Sequence, residues 1–515
     1  MQVKNFVILL SAAVLLGSCK NGGLFKKKPA KSDVTGWNYN DKNMGGYQVA
    51  KAKDQKAGPG LVFVQGGTFT MGQTEEDIMG DWNNIPRRVT VPSFFIDKTE
   101  VANVHYREYM HWLNRIFPSD DPANMKILDA ALPDTLVWRS ELSYNEPLVE
   151  YYFRHPGFNE YPVVGVSWRQ AWDFCQWRTD RVNEVALIEK KFIAKQGLNS
   201  QQQENNFTTK SYLLGLYQAQ PGKPGKKNTL KTPQGTPRTQ ITMEDGILSP
   251  DYRLPFEAEW EYAAYGYVNQ NPRPSKKEGK RGEELVSNKQ VYPWMQNANY
   301  SGLRETKHGS WHGQFLANFK RGSGDNAGVA GGLNDDAIYT APVNSFYPNG
   351  FGIYNMAGNV SEWVADVYRQ GSSLDVDDVS AFRGNKFMKL YKNDSGEAEI
   401  DSTGRVKMVA VTDEESRSRR NYQRGNVINH LDGDTLSDAS YGYGKTTLVS
   451  DESRVYKGGS WNDRAYYLSP GTRRYMEEYK ASSQIGFRCA MDRMGSPEGS
   501  GRKAGNYFNK KKQKR

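Results

Sequence analysis

The chain has 515 residues, 37% of them hydrophobic, with a mean hydropathy of −0.76. This is enough for a large core, organised either as about two to four domains or as one domain with long polar insertions. Much of the +10 formal charge sits in Lys26-Lys27-Lys28 and in the tail from Lys510 to Arg515. Such blocks read as solvated ends that either solubilise the chain or touch an acidic surface, and the export signal at the N-terminus argues against nucleic acid as a partner.

At the N-terminus, Lys4 precedes an apolar run from Phe6 to Leu16. The run is shorter than the roughly 20 residues that span a bilayer, but it suits a secretory signal. It ends in Leu16-Gly17-Ser18-Cys19, which resembles a bacterial lipobox. That resemblance implies a signal peptide over 1–18, cleaved before a lipidated Cys19 that ties the protein to a membrane. The alternative is an ordinary cleaved signal beside an incidental cysteine. Each buried CH₂ contributes about 0.8 kcal/mol, so several acyl chains on one residue make a lasting anchor. Lys20 rather than an aspartate follows the cysteine, so the outer membrane, facing the periplasm, is the expected site.

Residues 19–58 lack apolar periodicity and read as a flexible tether. The folded region is expected over 59–493. It opens with a β-branched strand at Leu61 to Val64, a Gly66-Gly67 turn and a second strand, which is a hairpin signal. Val89 to Val91 and Phe94 to Ile96 read as further strands. Apolar spacing from Glu100 to Phe117 predicts an amphipathic helix, and Ser167 is placed to cap a second helix over 168–177. Polar stretches at about 199–249 and 370–451 read as insertions, and 494–515 as a basic disordered tail. Abundant Gly, Trp and Tyr favour loop-rich structure pinned by buried aromatics. Besides Cys19 there are only Cys175 and Cys489, which either pair or stay as separate buried thiols. His308 and His312 have a metal-like spacing, but Gly309 and Gly313 place them in a loop.

Six motifs then occur in order: Gly66-Gly67-Thr68-Phe69-Thr70-Met71-Gly72, Pro162 to Trp168, Arg253-Leu254-Pro255-Phe256-Glu257-Ala258-Glu259-Trp260-Glu261, Gly352 to Trp363, Arg454 to Trp461, and Ile485-Gly486-Phe487-Arg488-Cys489. Together they resemble the formylglycine-generating enzyme (sulfatase-modifying factor) family. The resemblance implies a C-type-lectin-like α+β fold with little regular secondary structure, interrupted here by long polar insertions. It also implies an active site of two cysteines that bind copper(I), two and seven residues past the aromatic of the Gly-Gly-Ser-aromatic motif. Those positions are Asp463 and Leu468. Copper(I) is soft and takes thiolate sulfur, so the oxygenase chemistry is expected to be lost, leaving no catalytic residues and no small-molecule substrate. Related sulfoxide synthases hold iron with a histidine cluster, but here Gln314 stands where a carboxylate is wanted.

The resemblance further implies structural calcium, a hard ion taking six to eight oxygens. One site maps onto the carbonyls of Ala357, Gly358 and Val360 with the Glu362 side chain. The other maps onto Asn318, Phe319 and Asp335 or Asp336. The alternative is that these residues only cap turns, with Glu362 in a buried hydrogen-bond network. Beyond the shared domain, a lipoprotein signal on this fold is similar to the gliding-motility and type IX secretion lipoproteins of the Bacteroidetes. The strings Thr35-Gly36-Trp37-Asn38, Gly80-Asp81-Trp82-Asn83-Asn84, Ala131 to Arg139, Tyr151 to Pro156 and Trp177 to Glu184 carry that likeness. It implies a non-catalytic outer-membrane component with other lipoproteins and ring subunits as partners. The alternatives are a periplasmic sulfatase-maturation-like oxidase or a calcium-dependent lectin-like module.

Overall fold

The structure is a computed structural model. It describes residues 31–50, 54–73, 79, 84–195, 205–217, 230, 232, 236, 238, 240–266, 290–294, 302–305, 312–322, 335, 337–368, 387–416 and 452–495. Cys19, His308, Asp336, residues 80–83 and the C-terminal tail lie outside them.

The fold opens on a bent antiparallel ribbon. Strands β1 (Leu61–Val64) and β2 (Gly67–Met71) do not pair with each other as the Gly-Gly signal suggested. β1 pairs with β4 (Phe94–Asp97) and β2 with β3 (Arg87–Val91), and both ladders share one register. The two glycines therefore mark the bend of one long strand, opposite Pro92-Ser93, rather than its end. A Cβ on Gly66 would meet the Val91 carbonyl oxygen at 2.3 Å, so the glycine serves close backbone approach. The connection between the two arms is the segment from Gly72 to Pro86.

Two four-stranded sheets carry the centre. The first runs β1-β4-β12-β5, with β5 at Tyr252–Arg253 and β12 at Ala490–Asp492. It joins the beginning and the end of the folded region side by side. The second runs β10-β9-β6-β11, from Arg474–Glu477, Ser453–Lys457, Ser361–Val367 and Ile485–Gly486. Every residue of β6 is buried, as expected for a strand covered on both faces. The short β11 pairs with it in parallel.

Helix α1 (Asn103–Ile116) starts later than the sequence pattern suggested. Glu100 is not in its first turn but is buried, and Ala102 bridges to Pro162. The apolar stripe Tyr106, Tyr109, Leu113 and Ile116 faces inward at helical spacing. After α2 (Pro122–Ala131) and α3 (Glu146–Tyr151), α4 runs from Trp168 to Glu189. Ser167 caps α4 as expected: its Oγ accepts from the Gln170 amide at 3.3 Å, and Gln170 Oε1 accepts from the Ser167 amide at 2.8 Å. This reciprocal box satisfies two donors that the helix start leaves open. α1 and α4 meet through aromatic rings, with Tyr106 stacked on Phe174 at 5.6 Å and Tyr109 against Trp177 at 5.2 Å. Helix α6 (Glu257–Tyr265), which follows the short α5 (Thr209–Leu213), is buried along its whole length.

The described parts of both insertions have structure of their own. In the first, Phe207, Tyr212, Ile241 and Leu248 gather with Leu187, Phe192 and Ile193 into a small core at the end of α4. In the second, β7 (Met388–Leu390) pairs with β8 (Met408–Ala410). Residues 31–50 form a series of turns held by local hydrogen bonds, such as the Gly36 amide to Ser32 O at 2.9 Å. Among the described residues no helix is long and apolar enough to cross a membrane.

Candidate functional site

The turn Gly458-Gly459-Ser460-Trp461 leads from β9 into the two positions that the resemblance assigns to the copper thiolates. Both glycines have positive φ, 99° and 68°, which only glycine adopts freely. The turn brings Ser460 beside Asp463: the Ser460 Oγ donates to Asp463 Oδ2 at 2.6 Å and its amide does so at 2.8 Å. Arg474 closes the other side as a fork, donating to Oδ1 at 2.7 Å and to Oδ2 at 2.6 Å. Burial disfavours the Arg474 charge, but the Asp463 carboxylate outweighs it and raises the guanidinium above its ordinary value. Leu468 is fully buried among Trp294, Phe315, Leu316 and Phe319.

These two positions do not fit copper(I). One is a hard carboxylate already engaged by an arginine and a serine, and the other is a hydrocarbon in a core. The remaining cysteines, Cys175 and Cys489, are both buried elsewhere, with Sγ atoms 3.3 Å apart and unlinked. Among the described residues no group of three or more His, Cys, Asp or Glu side chains is arranged to hold a metal. His312 lies opposite Glu305 in an isolated parallel β-bridge of the backbone.

Next to Asp463 lies a cleft of about 290 Å³. Its walls include Tyr368, Tyr456, Tyr466, Tyr467 and Tyr475, with Arg473 and Arg474 between them. Tyr368 and Tyr475 stack at 4.2 Å, and Arg474 lies over Tyr467 at 4.3 Å and over Tyr456 at 4.8 Å. Such a surface offers flat apolar faces and hydroxyls for binding, but it presents no thiol nucleophile.

The two expected calcium sets fare differently. The first does not fit. Glu362 Oε2 accepts from Trp260 Nε1 at 2.7 Å and from Arg488 Nε at 2.6 Å, and Arg488 Nη2 takes Oε1. The carboxylate belongs to a fully buried ion pair. The loop that would supply the carbonyls of Ala357, Gly358 and Val360 is held by backbone bonds, including the Gly358 amide to Gly458 O at 2.8 Å and the Asn359 amide to Asn318 O at 2.9 Å. The second set fits. Asn318 Oδ1 is buried with no hydrogen-bond partner among the described residues. Beside it, Asp335 accepts from the Phe319 amide at 3.4 Å and the Ala337 amide at 3.3 Å, which sets its carboxylate against the same loop. Asn318, Phe319 and Asp335 would hold a hard cation, which would pin that loop to its neighbours.

Residues 47–493 match the family described as the sulfatase-modifying factor enzyme 1-like domain. The chain belongs to this family. It is 22% identical to the formylglycine-generating enzyme of Mus musculus over 374 residues, 69% of this chain and 70% of that one. It is 24% identical to the inactive C-alpha-formylglycine-generating enzyme 2 of Mus musculus over 359 residues, 65% and 76% of the two chains. Among solved structures, PvdO from Pseudomonas aeruginosa aligns with a TM-score of 0.39 at 15% identity, covering 86% of this chain and 99% of that one. The mixed helix and strand content agrees with the α+β fold expected of the family.

Within this family member, Glu362 thus lies in the buried network that was the alternative to calcium, while the other members of two charged networks were not named from the sequence. Glu100 accepts from Asn359 Nδ2 and Asn355 Nδ2, each at 3.0 Å, and sits beside the Arg488–Glu362 pair. Lys457, fully buried, lies between Glu257 and Glu261 at 3.2 and 3.1 Å, and Arg473 joins Glu257 at 2.8 Å. The signal was present in part. Arg488, Glu257, Glu261, Glu362 and Lys457 all fall inside the quoted motifs, but a linear string does not show which acid meets which base.

Proposed function

We propose that the chain is a non-catalytic member of its family, lipid-anchored through Cys19 in the outer membrane and facing the periplasm. In this reading it is a structural and assembly component of the Bacteroidetes gliding-motility and type IX secretion machinery. The strings between Thr35 and Glu184 favour the GldJ branch of those lipoproteins, with GldK as the second choice. The observation that carries the non-catalytic reading is the Asp463–Arg474 fork with Leu468 in the core, where the family's chemistry needs two thiolates. A relative whose name marks it as inactive lends further support.

The partners in this reading are the lipid anchor, other gliding and secretion lipoproteins, and ring subunits. Exposed apolar residues on the segment after α2 suit such contacts: Leu142 is 98% and Tyr144 84% exposed, and Leu136 and Tyr151 are about half exposed. A gentle-detergent pull-down of a tagged copy from native membranes, with mass spectrometry and sizing, tests the assignment. Recovery in a large outer-membrane assembly with lipoproteins and ring subunits is the expected result. Recovery as a lone particle would count against it.

A further inference from the structure

The two insertions meet at a second cavity, which shares no lining residue with the tyrosine cleft. It measures about 310 Å³ and lies where α1, α2 and α4 converge, a volume at the lower end of ligand-sized pockets. Tyr109, Trp112, Phe117 and Trp177 supply aromatic wall, and Leu113 and Ile127 add aliphatic surface. Two carboxylates two turns apart on one face of α4, Asp173 and Asp180, also line it. Desolvation by burial raises both acids above their ordinary value, and Arg405 pulls each of them back down, so each gains from a nearby cation. Aromatic faces combined with carboxylates recognise organic cations, because the ring quadrupole and the anion both attract positive charge.

The chain itself supplies a cation here. The turn 401–405 of the second insertion is built on Asp401, whose Oδ1 accepts from the amides of Thr403 at 2.8 Å and Arg405 at 3.0 Å. Asn206 of the first insertion fastens this turn by donating to Thr403 O at 3.0 Å. Arg405 then reaches Asp173 Oδ1 at 3.4 Å. That is long for a charge-assisted bond, which favours about 2.7–2.9 Å, and both side chains are about half exposed, 42% and 50%. Lys126 also lines the rim. Arg181 covers Trp112 at 4.3 Å, but its charge is matched by Glu184 at 2.7 Å.

We propose that this cavity binds an organic cation, a guanidinium or alkylammonium on an apolar stem, with Asp173 as its chief anion and Arg405 as a displaceable resident. The cation is either a free small molecule or the basic side chain of a partner segment, and both make the same contacts. The site goes beyond the scaffold role and does not depend on it.

Calorimetry on the full chain tests this with three probes: agmatine, the blocked peptide acetyl-Ala-Arg-Ala-amide, and neutral pentylurea. Removing the resident competitor in Arg405→Gln is expected to tighten binding of a cationic probe about tenfold. Adding Asp173→Asn in that background is expected to weaken it about tenfold, while pentylurea stays unbound. Agmatine binding assigns a free cation, whereas binding of the peptide alone assigns a partner side chain. Failure of both cations to bind Arg405→Gln, or pentylurea binding as well as they do, overturns the proposal. So does Asp173→Asn without effect. Because both substituted side chains are half exposed, unchanged thermal melts are expected to show that the variants fold. Asp180→Asn provides a second anion variant.

Discussion

Asp463 accepts four hydrogen bonds, two from Ser460 and two from Arg474. Replacing it with alanine strips the counter-charge from an arginine that is only 24% exposed. The expected cost is about 3 kcal/mol, read as a lower midpoint in urea unfolding, and Arg474→Met in the same background should recover part of it. A midpoint unchanged by Asp463→Ala would show that the fork contributes nothing to stability. A second residue-scale prediction concerns Cys175 and Cys489. Burial, followed by the neighbouring sulfur, pushes the Cys175 thiol well up, so alkylation of the native protein should be slow. Mild oxidation should nevertheless link the two across their 3.3 Å separation and raise stability by about 3 kcal/mol. Peptide mapping without reductant checks the link. The sequence left this pairing open because 314 positions separate the residues. Only the packing of α4 against the segment between β11 and β12 brings them together.

At the scale of elements, the loop from Met356 to Val360 is fixed by close backbone approach. Gly358 has φ +78°, and a Cβ there would lie 2.3 Å from Asn318 O. Gly358→Ala should therefore lower the melting temperature sharply and release the neighbouring loop that carries Asn318. Calcium gives an independent reading of that loop. If Asn318 and Asp335 hold the ion, chelator should lower the melting temperature of wild type but not of Asp335→Asn. Elements whose signal is local were legible in the sequence: α1 by its apolar stripe, α4 by its Ser167 cap, and β3 and β4 by β-branched and aromatic runs. The ribbon was misread at Gly66-Gly67 because a turn and a strand bend use the same residue for the same reason, freedom from a Cβ. What distinguishes them is the partner strand, which lies outside any local window. The same limit hid the cation cavity, whose walls come from three helices and two insertions far apart in the chain.

For the whole molecule, buried charge sets the response to pH. Burial raises the Glu100 carboxyl to about 8, against the pull of Arg488 and with help from Glu362. The folded state thus holds this proton more tightly than the unfolded chain does. The stability it contributes is full below the ordinary value of 4.5 and is lost as pH rises through about 8. Glu257 runs the other way: burial would raise it, but Arg473, Lys457 and Arg87 outweigh burial and hold it at about 2. Its contribution is present above 4.5 and lost as pH falls through about 2. Glu100→Gln should flatten the decline in stability on the alkaline side while leaving the acid side in place. Chemical unfolding across the pH range measures this, and an alkaline limb unchanged in the variant would assign it to another group.

The account rests above all on the loss of the thiolate site in a fold that is otherwise kept. The most direct test gives the full chain reduced copper(I), oxygen and a cysteine peptide of the kind the active relatives modify, and follows the peptide by mass spectrometry. The account predicts no aldehyde beyond that in the protein-free copper control. Aldehyde that accumulates with turnover would contradict it and would require a copper site other than the positions of Asp463 and Leu468.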